Sequence, residues 1–179
     1  MDRKLLLTVC IGVLLAAGTS AVLYENSIAT LKYSFRSDAD VRLELERTIE
    51  KFNQLYASFY VTGGDTFGLN DFPAGNLVKR RIFQDIDLWK KQNQWLIHDL
   101  HTTEIMRVDI RASGRAVVET REVWDMWLRH TDTGVKTGRK SQTIQVRYFL
   151  GRDRGRWIVG DFEVYGEDER LPGIREDLF

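Results

Sequence analysis

The stretch RAVVETREVWDMWLR (Arg115–Arg129) decides the fold, together with the runs downstream of it. The turn HTDTG (His130–Gly134), the run KSQTIQVRYFL (Lys140–Leu150), a second turn GRDRG (Gly151–Gly155) and the run WIVGDFEVY (Trp157–Tyr165) come next. Successive side chains of a strand point to opposite faces. Ala116, Val118, Thr120, Glu122, Trp124, Met126 and Leu128 therefore share one face, and Val117, Glu119, Arg121, Val123, Asp125 and Trp127 share the other. In the second run Ile144, Val146, Tyr148 and Leu150 alternate with Thr143, Gln145 and Arg147. In the third, Ile158, Gly160, Phe162 and Val164 fall on one face, with Trp157, Val159, Asp161 and Glu163 opposite. Gly160 inside a strand predicts a bend or bulge. A further run, Thr103–Ile110, in which Met106, Val108 and Ile110 alternate with Arg107 and Asp109, precedes the turn Ala112-Ser113-Gly114. Runs joined by turns predict an antiparallel meander with one face covered.

The cover comes from upstream. Ser37, with Asp38 and Asp40 behind it, is a helix start, because a hydroxyl caps free N–H groups and acids suit the positive helix end. Val41, Leu45, Ile49, Phe52, Tyr56, Phe59 and Tyr60 recur at steps of mostly three and four, one apolar stripe of a helix that Gly63-Gly64 ends. Asp65–Gly75 reads as a loop whose Phe67, Leu69 and Phe72 are apolar teeth able to close one end of a barrel or cone. Asn76 reads as the cap of a second helix with Val78, Ile82, Ile86 and Trp89 on its apolar face and Leu77 and Phe83 beside it. Lys79-Arg80-Arg81 reads as a solvated face, with an anionic contact as the alternative. Helices first and a curved sheet after predict an α+β, cone-shaped domain over residues 38–165.

Lys+Arg and Asp+Glu are balanced at 26 each, which argues against nucleic acid as a partner. Hydrophobic residues make up 43%, enough for a packed core. Leu5–Leu23 carries no charge and comes after Arg3-Lys4. It reads as an uncleaved membrane anchor or, with Thr19-Ser20-Ala21 as the cut, as a signal peptide. Both readings place the rest outside the cytoplasm: at the bacterial inner membrane facing the periplasm or outside, or secreted or periplasmic after cleavage. Residues 24–37 read as a juxtamembrane linker. The single cysteine, Cys10, lies in the apolar run, so the exported part has neither disulfides nor a thiol nucleophile. Residues 166–179 form a charged tail with Leu171-Pro172-Gly173-Ile174 and Phe179, either a frayed end or a short docking peptide.

Residues Ile105–Val164, through VDIRASGRAVVETREVWDMW and TIQVRYFLGRDRGRWIVGDFEV, resemble the nuclear transport factor 2-like superfamily. The closing pattern VRYxLxRxxGRWxVxDxEV is similar to the domain at the intermembrane-space end of plastid and cyanobacterial division proteins, and to related bacterial envelope modules. The superfamily holds isomerases, dehydratases, cyclases and many non-catalytic binding modules. The resemblance therefore implies a fold and leaves the function to the site. In the division proteins the domain implies partner binding without catalysis. They carry a long cytoplasmic region, and with only residues 1–4 ahead of the apolar run no counterpart is expected here, which argues against the division role itself.

Glu122 is the anomaly of the pattern, a carboxyl in register with Val118, Trp124 and Met126. Buried beside Trp124, it has the setting of a general acid or base, and enzymes of the superfamily use carboxylates and histidines inside the cone. The alternatives are a bulge that turns it to water, or a pairing with Arg121 or Arg147. His98, Asp99 and His101 form the one His-acid cluster, a candidate base and orienter. On a strand His98 and His101 would face opposite ways, and no third ligand stands out, so neither a metal nor another cofactor is expected. Gly151–Gly155 lacks a phosphate-loop lysine and a following helix and reads as a hairpin turn.

The expected function is a membrane-tethered extracytoplasmic module, anchored through residues 5–23, that binds a protein partner in the cell envelope. Trp89, Trp95, Trp124, Trp127 and Tyr56 are the candidate anchors of an apolar groove. Self-association into a homodimer stays open. The alternatives are a small-molecule or isomerase- or cyclase-like pocket protein using Glu122 with His98 or His101, and a component of secretion or conjugation machinery.

Overall fold

The computed structural model describes residues 37–111 and 114–166. The apolar run 5–23, Cys10, most of the linker and nearly all of the tail lie outside the described residues. Among the described residues no helix is long and apolar enough to cross a membrane. The chain divides after Val41. Six elements succeed one another: α1 (Asp38–Val61), α2 (Asn76–Lys91), β1 (Gln94–Arg111), β2 (Arg115–His130), β3 (Lys136–Asp153) and β4 (Arg156–Gly166). The strands pair in chain order β1-β2-β3-β4, all antiparallel, so the sheet is the meander that the turns predict. The two helices pack on this curved sheet in an α+β arrangement.

Both ends of α1 are explained by sequence. Ser37 Oγ accepts from the Asp40 amide at 3.2 Å, as a capping hydroxyl does. Gly63 and Gly64 take positive φ, and their amides donate to the carbonyls of Tyr60 (3.2 Å) and Phe59 (2.7 Å), a Schellman termination. A Cβ at Gly63 would come within 2.9 Å of the Trp95 indole, so glycine also gives Trp95 its seat. At α2 the cap is Gly75, with no side-chain cap, and Asn76 is already the first helical residue. Gly75 is held instead by its own amide, which donates to the Val159 carbonyl at 2.8 Å. The Val159 amide in turn donates to the Pro73 carbonyl.

The core lies between α1, α2 and the inner sheet face. Leu45, Ile49, Phe52 and Phe59 of α1, Val78, Ile82 and Ile86 of α2, and Ala116, Val118, Val146, Tyr148 and Leu150 of the sheet are all buried. The loop between the helices contributes Phe72, which stacks on Phe52 (4.9 Å) and meets Phe59 edge-on (5.1 Å). Phe67 does not join it; that ring is 89% exposed, and Leu77 is exposed as well.

Bulges account for the departures from strict alternation. β1 begins at Gln94, well before Thr103, because register shifts at Leu100/Thr102 and Ile105/Arg107 break its period of two. Met106 and Ile110, expected to point inward, are exposed. In β4 the shift skips Gly160, as its glycine predicts, and swaps the faces there. Trp157 and Val159, expected opposite Phe162, are buried with the core. The β3–β4 turn is shorter than GRDRG: only Arg154 and Gly155 lie between the strands, both at positive φ, as a two-residue hairpin requires.

The outer face is not simply wet. Val117, Glu119, Asp125 and Arg147 are buried there. Glu119, Arg147 and Glu163 stand side by side across β2, β3 and β4. Arg147 donates to Glu119 at 2.9–3.0 Å and lies 3.7 Å from Glu163, so opposite charges satisfy one another where water is scarce.

Candidate functional site

The register of β2 carries Glu122 inward, where it is 1% exposed. The bulge that would turn it to water does not occur there. Arg121 is exposed on the opposite face, and Arg147 serves Glu119 on that face too. Four neutral donors meet the Glu122 carboxylate instead. Oε1 accepts from Asn53 Nδ2 (2.9 Å), Thr120 Oγ1 (2.8 Å) and Tyr148 OH (2.8 Å), and Oε2 accepts from Trp124 Nε1 (2.8 Å). Tyr148 OH also lies 2.9 Å from Asn53 Oδ1, which closes a ring between α1, β2 and β3. Burial, reinforced by the Glu122 charge and hydrogen bond, pushes the Tyr148 hydroxyl well above its ordinary pKa, which keeps it a donor. Sequence reasoning missed Asn53. Its signal was position, four residues after Ile49 on the apolar stripe of α1, where a buried amide needs partners.

A second polar group stands beside the first. His98 stacks on Tyr60 at 4.3 Å with planes 8° apart, and lies 5.3 Å from Tyr56 and 5.9 Å from Trp124. Tyr60 OH donates to Asp85 of α2 at 2.7 Å. Burial lowers the His98 pKa to about 4 against a small opposing pull from Asp85, so the imidazole is neutral at pH 7. Its Nε2 is buried without a partner among the described residues. Burial also pushes Tyr56 up to about 12, and Tyr60 beyond the usual phenol range.

Glu122 and His98 converge on one half-open cavity of about 130 Å³, walled by Phe52, Tyr56, Trp124, Met126, Ile144, Phe162 and Val164. Of the five aromatic anchors that the sequence offered, Tyr56 and Trp124 line it. Trp89, Trp95 and Trp127 do not: Trp95 sits on the end of α1 under Arg129, and Trp127 lies beneath Lys136.

The two histidines part company. As strand alternation predicts, His101 lies on the outer face, where its Nε2 is 3.1 Å from Asp125. Asp125, and not Asp99, is its acid. Asp125 also accepts from Arg139 Nε at 3.0 Å. That guanidinium, then His101 and Ser141, hold the Asp125 carboxyl well below the usual carboxylate range. With His98 inside and His101 outside, the pair cannot act on one ligand. Among the described residues no group of three or more His, Cys, Asp or Glu is placed to hold a metal ion.

No protein-family model matches the chain, and no curated protein matches it in sequence. Solved structures do. The intermembrane-space region of the chloroplast protein ARC6 superposes with a TM-score of 0.62 at 15% identity, over 74% of this chain and 99% of that one. Aln2 from a Streptomyces species covers 70% of this chain and 92% of its own, also at 15% identity, with a TM-score of 0.45. The ARC6 likeness supports the fold that the sequence resemblance implies, and at this identity it speaks for the fold alone.

Proposed function

We propose that this protein is a non-catalytic binding module of the cell envelope, tethered through residues 5–23, whose inner cavity receives one apolar side chain of a protein partner. The observation that carries this reading is the state of Glu122. A general acid or base must be able to reach a substrate proton, and this carboxylate is enclosed by four protein donors. The neighbouring groups point the same way. Burial lowers His98 to about 4, raises Tyr56 to about 12 and pushes Tyr60 and Tyr148 up as well, so none of these is poised near neutral pH.

Size narrows the occupant. Pockets for metabolite-sized ligands run from ~300 Å³ upward. An apolar cavity of ~150 Å³ holds benzene, the bulk of a phenylalanine side chain. The cavity here has about 130 Å³ and a mostly apolar wall, which fits a single anchoring side chain. The ARC6 likeness agrees in fold with an envelope-associated scaffold.

Amide shifts on titration with N-acetyl-phenylalaninamide test the pocket. Saturable shifts are expected at Tyr56, Trp124 and Met126. Val164 is 53% exposed at the mouth, so Val164→Trp should abolish them while changing stability by less than ~0.5 kcal/mol. A photo-crosslinking residue at position 164 should capture one envelope protein in cells, and Ile144→Arg should prevent it. Turnover of a small substrate that Glu122→Gln abolishes, with folding intact, would replace this reading by the enzymatic one.

A further inference from the structure

A second cleft, sharing no wall residue with the Glu122 cavity, opens between the N-terminal half of α1, the loop before α2 and the β3–β4 hairpin. It holds about 480 Å³. Three carboxylates and six cations line it, in a chain whose charges otherwise balance. Two of the cations are occupied: Arg152 with Glu44 at 3.1 Å and the Gly155 carbonyl, and Lys79 with the Leu69 carbonyl. Arg47 and Lys51 on the α1 wall, and Arg154 and Arg156 on the hairpin wall, have no acidic partner within ion-pair distance among the described residues.

An independent feature asks for an acceptor at the same place. Trp157 lines the cleft and is only 5% exposed, with Arg152 lying 4.1 Å over its ring. Its Nε1 is buried and has no hydrogen-bond partner among the described residues. An indole N–H can only donate, and a buried donor left unpaired is destabilising. Cations without an acidic partner on α1 and on the hairpin, with Trp157 and its unsatisfied donor in the wall of the same cleft, describe the surroundings of an anion.

We propose that this cleft binds a phosphate-bearing ligand, either a soluble phosphate ester or a phospholipid headgroup. Phosphate fits better than a lone carboxylate because its tetrahedral oxygens can serve several guanidinium forks at once, and three of the four unpaired cations are arginines. The volume lies in the range of ligand pockets. Binding here is independent of the side-chain cavity on the inner sheet face.

The test uses the full chain in non-ionic detergent, titrated with pyrophosphate at low salt. In a parallel arm the full chain is equilibrated with phosphatidylglycerol or phosphatidylcholine vesicles. Arg47→Gln with Arg156→Gln should weaken binding at least ~10-fold, since both walls lose a charged donor. Trp157→Phe keeps an aromatic ring under Arg152 but removes the N–H together with part of the indole's bulk, so it should weaken binding about 3- to 10-fold, with folding checked separately by urea denaturation because the smaller ring leaves a void. The exposed Lys140→Gln, away from the cleft, should change nothing. Saturation by pyrophosphate without a vesicle preference assigns a soluble ligand. Preference for phosphatidylglycerol without pyrophosphate binding assigns a headgroup. Binding of neither, or binding that survives the double substitution in a folded protein, overturns the proposal.

Discussion

On the inner face of β2, Glu122 is buried among an amide, two hydroxyls and an indole, donors that carry no charge. Three residues earlier on the outer face, Glu119 is buried against Arg147, which leans on Glu163 and the Tyr165 ring. One strand thus stabilises two carboxylates by different physics. The inner solution draws donors from α1, β2 and β3, so it ties the helix to the sheet and leaves the cavity wall apolar. The outer solution is a cross-strand ladder that works within the sheet alone. The inner acid should therefore matter to the whole fold and the outer one to the sheet.

Removing Glu122 should have the largest effect. Glu122→Ala strands four donors and opens a void, and about 4 kcal/mol of unfolding free energy should be lost in urea denaturation. Glu122→Gln, which keeps the shape but turns one acceptor into a donor facing donors, should lose about half of that. A loss near 1 kcal/mol for Glu122→Ala would mean that the cage does not hold α1 to the sheet. Next comes the ladder. Arg147→Met leaves Glu119 buried without its counter-ion and should cost about 3 kcal/mol. Adding Glu119→Leu should restore most of the loss, since an apolar pair of similar volume can replace a buried ion pair. No single second substitution should rescue Glu122→Ala, because its four donors come from three elements. A rescuer would erase the distinction between the faces.

The sheet was legible in the sequence because β2 and the second half of β3 keep a period of two that glycine turns interrupt. Even the inward placement of Glu122 could be read from Val118 and Trp124. What escaped was whatever depends on a bulge. The shifts in β1 left Met106 and Ile110 exposed, and the skip at Gly160 moved Trp157 and Val159 to the inner side. A bulge changes the phase of every later residue, and apart from Gly160 no residue type marks these. The site was half legible for a related reason. Glu122, His98, Tyr56 and Trp124 lie on strongly patterned elements. The partners that define Glu122 chemically, Asn53 and Tyr148, are brought by packing at sequence separations that periodicity does not encode.

Acid separates the faces by pH. His98 is buried neutral with its pKa lowered from 6.5 to about 4. The unfolded chain therefore takes up that proton first, and stability falls as pH drops below 6.5, by about 2 kcal/mol at pH 5. His98→Phe, which keeps the stack on Tyr60, should flatten this slope. Asp125 on the outer face is shifted down from 3.8. Its contribution is complete above that value and is lost only in stronger acid. Between pH 6.5 and 4, then, the inner face should weaken while the Asp125 cluster holds.

The smallest effect is expected from the two side chains that donate to Asp125. The side chains of His101 and Arg139 are 45% and 75% exposed, so water and salt screen what they give to Asp125. His101→Gln or Arg139→Gln at pH 7 should leave the urea midpoint almost unmoved. Each should instead raise the pH at which Asp125 titrates, read from its carboxyl carbon shift in NMR, with Arg139→Gln giving the greater rise because its guanidinium is the larger cause. A midpoint shift as large as that of Arg147→Met would show that solvent screens the His101–Asp125–Arg139 cluster no better than the buried ladder beside it, and the contrast would then lie between neutral donors and charges rather than between depth and exposure.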